Sequence, residues 1–179
     1  MRTTFHSYEA DGWGTGELWL RDGKLVVHEL PRPRATSPPP GVAPQGGSKT
    51  PEVTVARKLC RVCADFVSEL CRRFQAHLSG EHVTYDDVAI DLDGLTELQV
   101  AMAQALRAVP WGEVVSYGEL AALAGRSGAA RAAGAFCAEG RWSLVVACHR
   151  VVATNGIGGY GADGVATKRR LLELEGVRL

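Results

Sequence analysis

A cysteine, a histidine and an arginine stand side by side near the end of the chain, at Cys148, His149 and Arg150. Valine pairs precede and follow them, and such β-branched flanks predict a buried strand that turns at the cysteine. The turn is needed because successive strand residues point to opposite faces, which would separate the imidazole from the thiol. A thiol beside a base can supply a thiolate nucleophile, whereas a lone thiol is most often a core residue. The residues alone support both interpretations equally.

A thiolate serves more than one reaction. In acyl transfer, water later cleaves the thioester and the enzyme turns over repeatedly. In alkyl transfer to sulfur, the product is a thioether that water does not cleave, so the protein is spent after one turnover. The residues therefore leave open a cysteine hydrolase and an alkyl acceptor.

The N-terminal half predicts a small α/β unit. Residues 3–30 read as strands around an Asp22-Gly23 hairpin turn, and residues 31–50 form a loop rich in Pro and Gly. A helix is expected from Thr50, as the N-cap, to near residue 80, packed on the hairpin. Residues 83–91 predict one more strand.

The C-terminal half predicts mainly helices, at 96–108, 117–124, 128–138 and 165–175. Ser116 and Glu119 form a capping box before the second of these helices, and Ser127 is the expected cap of the third. The second and third helices, joined by a short turn, have the pattern of a helix-turn-helix. We therefore expect an α+β protein with domains at 1–91 and 92–179, the second carrying the cysteine.

The totals exclude several classes of protein. The chain has 179 residues and zero formal net charge, which argues against a strongly basic nucleic-acid binder. The segment 109–179 nevertheless has eight basic and six acidic residues. The sequence shows no apolar run long enough for a bilayer and no signal-peptide layout, so a cytoplasmic protein with five reduced cysteines is expected.

The cysteine stretch closely resembles the Pro-Cys-His-Arg-Val active site of the O6-alkylguanine-DNA alkyltransferases, and the resemblance extends over about residues 94–179. It implies DNA repair in which Cys148 irreversibly accepts the alkyl group from the exocyclic oxygen of guanine. It also implies that His149 is the general base, acting through a water, and that Glu175 orients it. Neither a cofactor nor a metal is implied, and the protein is expected to act as a monomer.

The resemblance assigns DNA binding to the third helix, where Ala129, Ala130 and Arg131 lie. It implies docking in the minor groove of double-stranded DNA, with Arg131 entering the base stack as the alkylated guanine leaves. Guanine O6 faces the major groove, so a protein in the minor groove must flip the nucleotide to reach it. From the residues alone, packing of small side chains between helices is a serious competing interpretation.

Five positions are assigned by resemblance to contacts with the flipped base. Tyr117 lies beside the nucleotide, Tyr160 stacks on the base from a glycine-rich lid, and Gly161 offers its N–H to O6. The carbonyls of Cys148 and Val151 hold the guanine amino group.

Two departures from the family pattern keep other functions open. Ala147 replaces the proline before the cysteine, and residues 140–142 replace an Asn-Pro pair. A protein that binds the lesion with weak or no transfer is therefore one alternative, and a non-enzymatic helix-turn-helix module is another. The Cys60–Cys63 CxxC motif falls within one predicted helix, so it predicts helix packing rather than a zinc site.

Overall fold

The N-terminal sheet is a three-stranded antiparallel meander in a computed structural model that describes residues 3–33 and 61–179. Its strands are β1 (Thr3–Ala10), β2 (Gly14–Arg21) and β3 (Lys24–Arg32). Asp22 and Gly23, with φ of 49° and 81°, form the two-residue turn between β2 and β3. Positive φ at both positions matches the right-handed twist of the flanking strands, so the predicted hairpin is confirmed.

Helix α1 (Arg61–Leu78) packs on strand β1. Leu70 and Phe74 are buried on the helix face, and Trp13 donates its indole N–H to the carbonyl of Leu78 at 3.0 Å. The expected packing of this helix on the hairpin is confirmed. Its predicted start at Thr50, the CxxC residue Cys60 and most of the loop at 31–50 lie outside the described residues.

The strand predicted at 83–91 is wrong. A single parallel bridge joins Leu25 and Ile90, with hydrogen bonds of 2.8 Å on either side of it. Side chains hold the rest of this segment: Arg73 pairs with Asp87 at 2.7 Å, and Arg107 donates to nearby carbonyls. The turn at residues 86–87 and these ion pairs replace a strand ladder.

Helix α2 (Glu97–Arg107) begins with a capping box between Thr96 and Gln99. A short strand, β4 (Val115–Ser116), leads into helix α3 (Tyr117–Leu123), which has the predicted capping box of Ser116 and Glu119. Both predicted helices are confirmed to within about one residue.

Helix α4 (Ala130–Glu139) packs against α3 and completes the helix-turn-helix. The prediction that Ser127 caps this helix is wrong. Ala129 occupies the N-cap position, and no side chain caps the helix. The Ala129 N–H bonds the carbonyl of Arg126 at 3.1 Å, so Ser127 falls inside a turn that precedes the helix.

The last elements carry the site. Strand β5 (Val151–Val152) pairs in parallel with β4. Helix α5 (Gly164–Leu174) lies within about one residue of the helix predicted at 165–175. One hydrophobic core joins the sheet, α1 and the C-terminal helices. The α+β class is confirmed, whereas the boundary between residues 91 and 92 stays a prediction. Within the described ranges, every helix is too short or too polar to cross a bilayer.

Candidate active site

The adjacent residues Cys148, His149 and Arg150 form a single turn of 3₁₀ helix. All three side chains are buried. The predicted turn at the cysteine is confirmed, but only Val151–Val152 after it is a strand; the valines before it lie in a turn region. The Cys148 N–H bonds the carbonyl of Val146 at 2.7 Å, which fixes the entry into the turn.

Glu175 is the centre of a buried polar network. Its Oε1 lies 2.7 Å from Nε2 of His149, and Arg150 donates to both carboxylate oxygens at 2.8 and 2.9 Å. Arg150 also donates to the carbonyl of Val109 at 2.6 Å. Glu175 directly follows α5, and the end of this helix places the carboxylate in the core.

The network fixes the protonation of His149. Burial lowers the pKa of His149 to about 4, against the opposing effect of Glu175, so the imidazole is neutral at pH 7. Burial alone would raise the pKa of Glu175, but hydrogen bonds from His149 and Arg150, together with the nearby His77 imidazole, outweigh it and keep the carboxylate ionised. A neutral imidazole donates its Nε2–H to this carboxylate, which leaves Nδ1 as a free acceptor. The His149 Nδ1 is buried and has no hydrogen-bond partner among residues 3–33 and 61–179.

A second imidazole, from helix α1, lies on the other side of Glu175. The His77 Nε2 is 3.5 Å from Oε1 of Glu175, and its Nδ1 is 3.3 Å from the hydroxyl of Tyr85. Potential ligand atoms of His77, His149 and Glu175 all lie within 4.8 Å of one another. The guanidinium of Arg150 already neutralises the carboxylate, so its charge opposes a metal ion there.

The Cys148 thiol has two partners that the sequence did not indicate. The Cys137 thiol, on helix α4, lines the same cavity, and Lys168 lies close enough to affect both thiols electrostatically. The neighbouring Cys137 thiol raises the pKa of Cys148, as does burial, whereas the Cys148 thiol lowers the pKa of Cys137, since the second proton must leave beside a thiolate. In the described residues, Cys148 makes no direct hydrogen bond to His149.

Lys168 is a buried lysine tied to the backbone of the site. Its Nζ donates to the carbonyls of Val151 at 2.5 Å and Gly159 at 3.0 Å. Burial lowers its pKa, and the two thiols oppose that shift. The ammonium therefore connects helix α5 to strand β5 and to the glycine-rich loop.

The glycine-rich loop closes over the thiols. Tyr160 is buried, and Gly161 begins a second 3₁₀ turn with φ of +44°. A Cβ at Gly161 would lie 2.9 Å from the carbonyl oxygen of Ala138, so only glycine fits there. A cavity of about 240 Å³ is lined by Cys148, Cys137, Tyr160 and Gly161, together with residues of β3 and the end of α4.

Tyr117 lies under the same loop but does not line that cavity. Its hydroxyl would be 3.1 Å from a Cβ at Gly158, and its ring lies 6.0 Å from Nζ of Lys168. Burial raises the pKa of Tyr117, and the Cys137 and Cys148 thiols add to the shift. The structure thus brings Tyr117, Tyr160, Gly161 and Val151 around one thiol, although on more than one side of it.

The helix-turn-helix presents an exposed face with little side-chain bulk. Ala129 and Ala130 are partly exposed at the start of α4, and Arg131 is exposed. Arg131 makes no hydrogen bond or ion pair with any described residue. The opposite face of α4 is buried through Ala133 and Phe136. The helix therefore uses small residues for packing and keeps one cation free.

Both departures from the family pattern have structural substitutes. Ala147 has φ of −72°, the value that a proline would impose, so the turn keeps its backbone shape without one. Trp142 donates its indole N–H to the carbonyl of Leu25 at 2.9 Å, and the N–H of His28 bonds the carbonyl of Arg141 at 2.8 Å. Hydrogen bonds to strand β3 thereby hold residues 141–142, which precede the 3₁₀ turn of Cys148.

Four further residues near the site were not predicted from the sequence. His28, His77, Cys137 and Lys168 come from separate elements, and each looks like an ordinary core or surface residue in the sequence. A histidine or lysine at an otherwise apolar helix position, as in Ala76-His77-Leu78, was the one available signal.

The chain is similar in sequence and fold to known proteins of one family. Residues 97–177 match the family described as 6-O-methylguanine DNA methyltransferase, DNA binding domain. The methylated-DNA–protein-cysteine methyltransferase of Salmonella typhimurium is 42% identical over 120 residues, which cover 66% of this chain and 69% of that protein. Its counterpart in Metallosphaera sedula is 39% identical over 107 residues, covering 60% of this chain and 66% of the relative.

The counterpart in Mycobacterium tuberculosis is 43% identical over 104 residues, or 58% of this chain. The matched stretch spans 61% of that relative. The chain therefore spans less than two thirds of the length of the Mycobacterium tuberculosis and Metallosphaera sedula relatives. Among solved structures, Mycobacterium tuberculosis OGT in complex with DNA superposes with a TM-score of 0.69 at 30% identity. That superposition covers 97% of this chain and 93% of the other.

Proposed function

This chain belongs to the methylated-DNA–protein-cysteine methyltransferase family, and we propose that it repairs O6-alkylguanine in double-stranded DNA by transferring the alkyl group to Cys148. The observation that carries the proposal is the buried turn that holds Cys148 next to His149, whose tautomer is set by Glu175 at 2.7 Å. A nucleophile, a base and a group that orients the base are the parts that activation of a thiol requires.

The reaction forms one bond and breaks another. The sulfur of Cys148 attacks the saturated carbon of the alkyl group, and the carbon–oxygen bond to guanine breaks. The electron pair of that bond leaves with the guanine oxygen, and protonation of the nucleobase restores neutral guanine. The protein keeps a thioether, so each molecule acts once and without a cofactor.

His149 supplies the base. Its Nδ1 has no hydrogen-bond partner in the described part of the chain and its imidazole is neutral at pH 7, so Nδ1 can accept the thiol proton through one intervening water. Glu175 stabilises the imidazolium that forms, and Arg150 keeps Glu175 ionised. Lys168 adds a positive charge near the developing thiolate.

DNA docking is assigned to the exposed face of α4. Ala129 and Ala130 allow the backbone to approach the minor groove, and the unpaired Arg131 replaces the flipped guanine in the stack. The lack of long polar side chains on this face suits binding that does not depend on sequence. The protein acts as a monomer in this proposal.

The flipped guanine is assigned to the space between the catalytic turn and the glycine-rich loop. Tyr160 and Gly161 line a cavity with Cys148, and Tyr117 contacts the same loop at Gly158. The carbonyls of Cys148 and Val151 accept the guanine amino group. The Val151 carbonyl already accepts Lys168, which orients it, and a carbonyl has a second lone pair for the base.

Peptide mass spectrometry after incubation with duplex DNA carrying O6-methylguanine tests the proposal. We expect one methyl group per protein, located on the Cys148 peptide, with no further uptake when more substrate is added. Selective lesion binding without an adduct would replace the proposal with a lesion-sensing protein. Absence of both would mean that the fold serves a different function.

A further inference from the structure

The Cys148 thiol is one of a pair. Cys137, on α4, lines the same cavity, and both residues are buried at 7% exposure. The proposed transfer uses one sulfur only, so it does not explain why a second thiol lies in the same cavity. Two neighbouring thiols have a chemistry that a lone thiol lacks, since each can attack an oxidised form of the other.

The surroundings favour oxidation. Lys168 places a positive charge near both sulfurs, and a nearby cation stabilises a thiolate. The thiols line one cavity of about 240 Å³ together with Tyr160 and Ser143. A small oxidant such as a peroxide can reach the sulfurs through such a cavity, although their surfaces are largely covered.

We propose that Cys137 and Cys148 form a reversible disulfide on exposure to peroxide, which makes this pair a redox modification site. One thiolate attacks a peroxide oxygen and becomes a sulfenic acid, while the other peroxide oxygen leaves as hydroxide. The second thiol then attacks the sulfenic sulfur, releasing water and closing the disulfide. In total, two thiols and one peroxide give one disulfide and two waters.

The disulfide has two consequences. It occupies the sulfur of Cys148, so the protein cannot accept an alkyl group while it is oxidised; this consequence alone rests on the proposed function. It also protects Cys148 from over-oxidation to sulfinic acid, which cellular thiols do not reverse. A dithiol reductant, itself oxidised to a disulfide, restores both thiols.

A matched cysteine is available as an internal control. Cys71 is a half-buried free thiol on α1, and burial raises its pKa to about 11. It has no thiol partner in the described part of the chain. Cys71 should therefore stay reduced under conditions that oxidise the pair.

The experiment treats the full, reduced protein with a small excess of hydrogen peroxide, blocks free thiols, and maps the peptides by mass spectrometry without reduction. We expect a linked peptide that contains Cys137 and Cys148, which disappears after treatment with a dithiol. Peptide mapping is needed because Cys60 and Cys63 are close enough in sequence to pair as well. The Cys71→Ser variant should give the same link.

The Cys137→Ser variant tests the protective role. Its Cys148 should proceed to sulfinic acid, and no dithiol should restore it. The proposal is overturned if wild-type Cys148 becomes sulfinic acid while Cys137 stays a free thiol, or if both stay reduced. The linked peptide is read without DNA, so failure of alkyl transfer and failure of disulfide formation are separate results.

Discussion

The two halves of the proposed machinery differ in how they are held. Around Cys148, charged and polar groups are buried and bonded to one another: Glu175 alone serves His149 and Arg150 within 3 Å. On α4, Arg131 is exposed and pairs with no described residue, beside small side chains. One region pairs its charged groups internally and leaves the His149 Nδ1 as an acceptor, and the other keeps a cation available.

This difference follows from what each region must do. A nucleophile and its base need fixed positions and protonation states, which burial and hydrogen bonds provide. A surface that approaches DNA needs free donors and little bulk, because any internal ion pair would compete with the phosphates or the base stack. Chemistry and docking should therefore respond separately to mutation.

Cys148→Ala should give the largest effect, a complete loss of alkyl transfer with DNA binding retained. The thiol is buried and lies away from the exposed face of α4, so its removal should not affect docking. Methyl transfer measured by mass spectrometry and DNA binding measured by a mobility shift check both halves. Loss of DNA binding in a folded variant would show that chemistry and docking are not separate.

Glu175→Gln should destabilise the protein by about 3–5 kcal/mol, because it leaves Arg150 as a buried cation without its counter-charge. Alkyl transfer should also fall, since His149 loses the carboxylate that fixes its tautomer. Denaturant unfolding gives the stability, and single-turnover kinetics give the rate. Glu173→Gln is the matched control, because Glu173 is exposed on the same helix. Equal effects of the two changes would contradict the network.

Arg131→Ala should slow repair of duplex DNA roughly tenfold or more, since flipping a base costs a few kcal/mol that the arginine helps to recover. Reaction with a free O6-alkylguanine base should change little, because that substrate needs no flipping. Arg169→Ala, which removes an exposed arginine from α5, serves as the control. Equal losses on duplex and free base would remove Arg131 from the docking half.

Acidification should lower the free energy of unfolding, through the buried histidines near Cys148. The pKa of both His149 and His28 is lowered to about 4 by burial, whereas an unfolded histidine titrates near 6.5. Between these values the unfolded chain binds more protons, so stability falls as the pH falls through this window. At about pH 5 each histidine should cost about 2 kcal/mol relative to neutral pH. Denaturant unfolding at both pH values checks this, and a stability that rises on acidification would contradict it.

Predictions from the sequence succeeded where the controlling interactions are local. The Asp22-Gly23 turn, the Ser116–Glu119 capping box and the bend at Cys148 depend on residues within a few positions of one another. Prediction failed at residues 83–91, where a strand was expected. There, Arg73 and Arg107 reach across from two helices and hold the segment instead.

The sequence by itself determined the N-terminal hairpin, the helix-turn-helix and the adjacency of Cys148 to His149. Only the tertiary structure decided which distant groups surround that pair. Cys137, Lys168 and Glu175 come from two helices, and no local pattern relates them to the cysteine. Their meeting depends on how α4 and α5 pack on the core, because a side chain's protonation and reactivity are set by its neighbours in space.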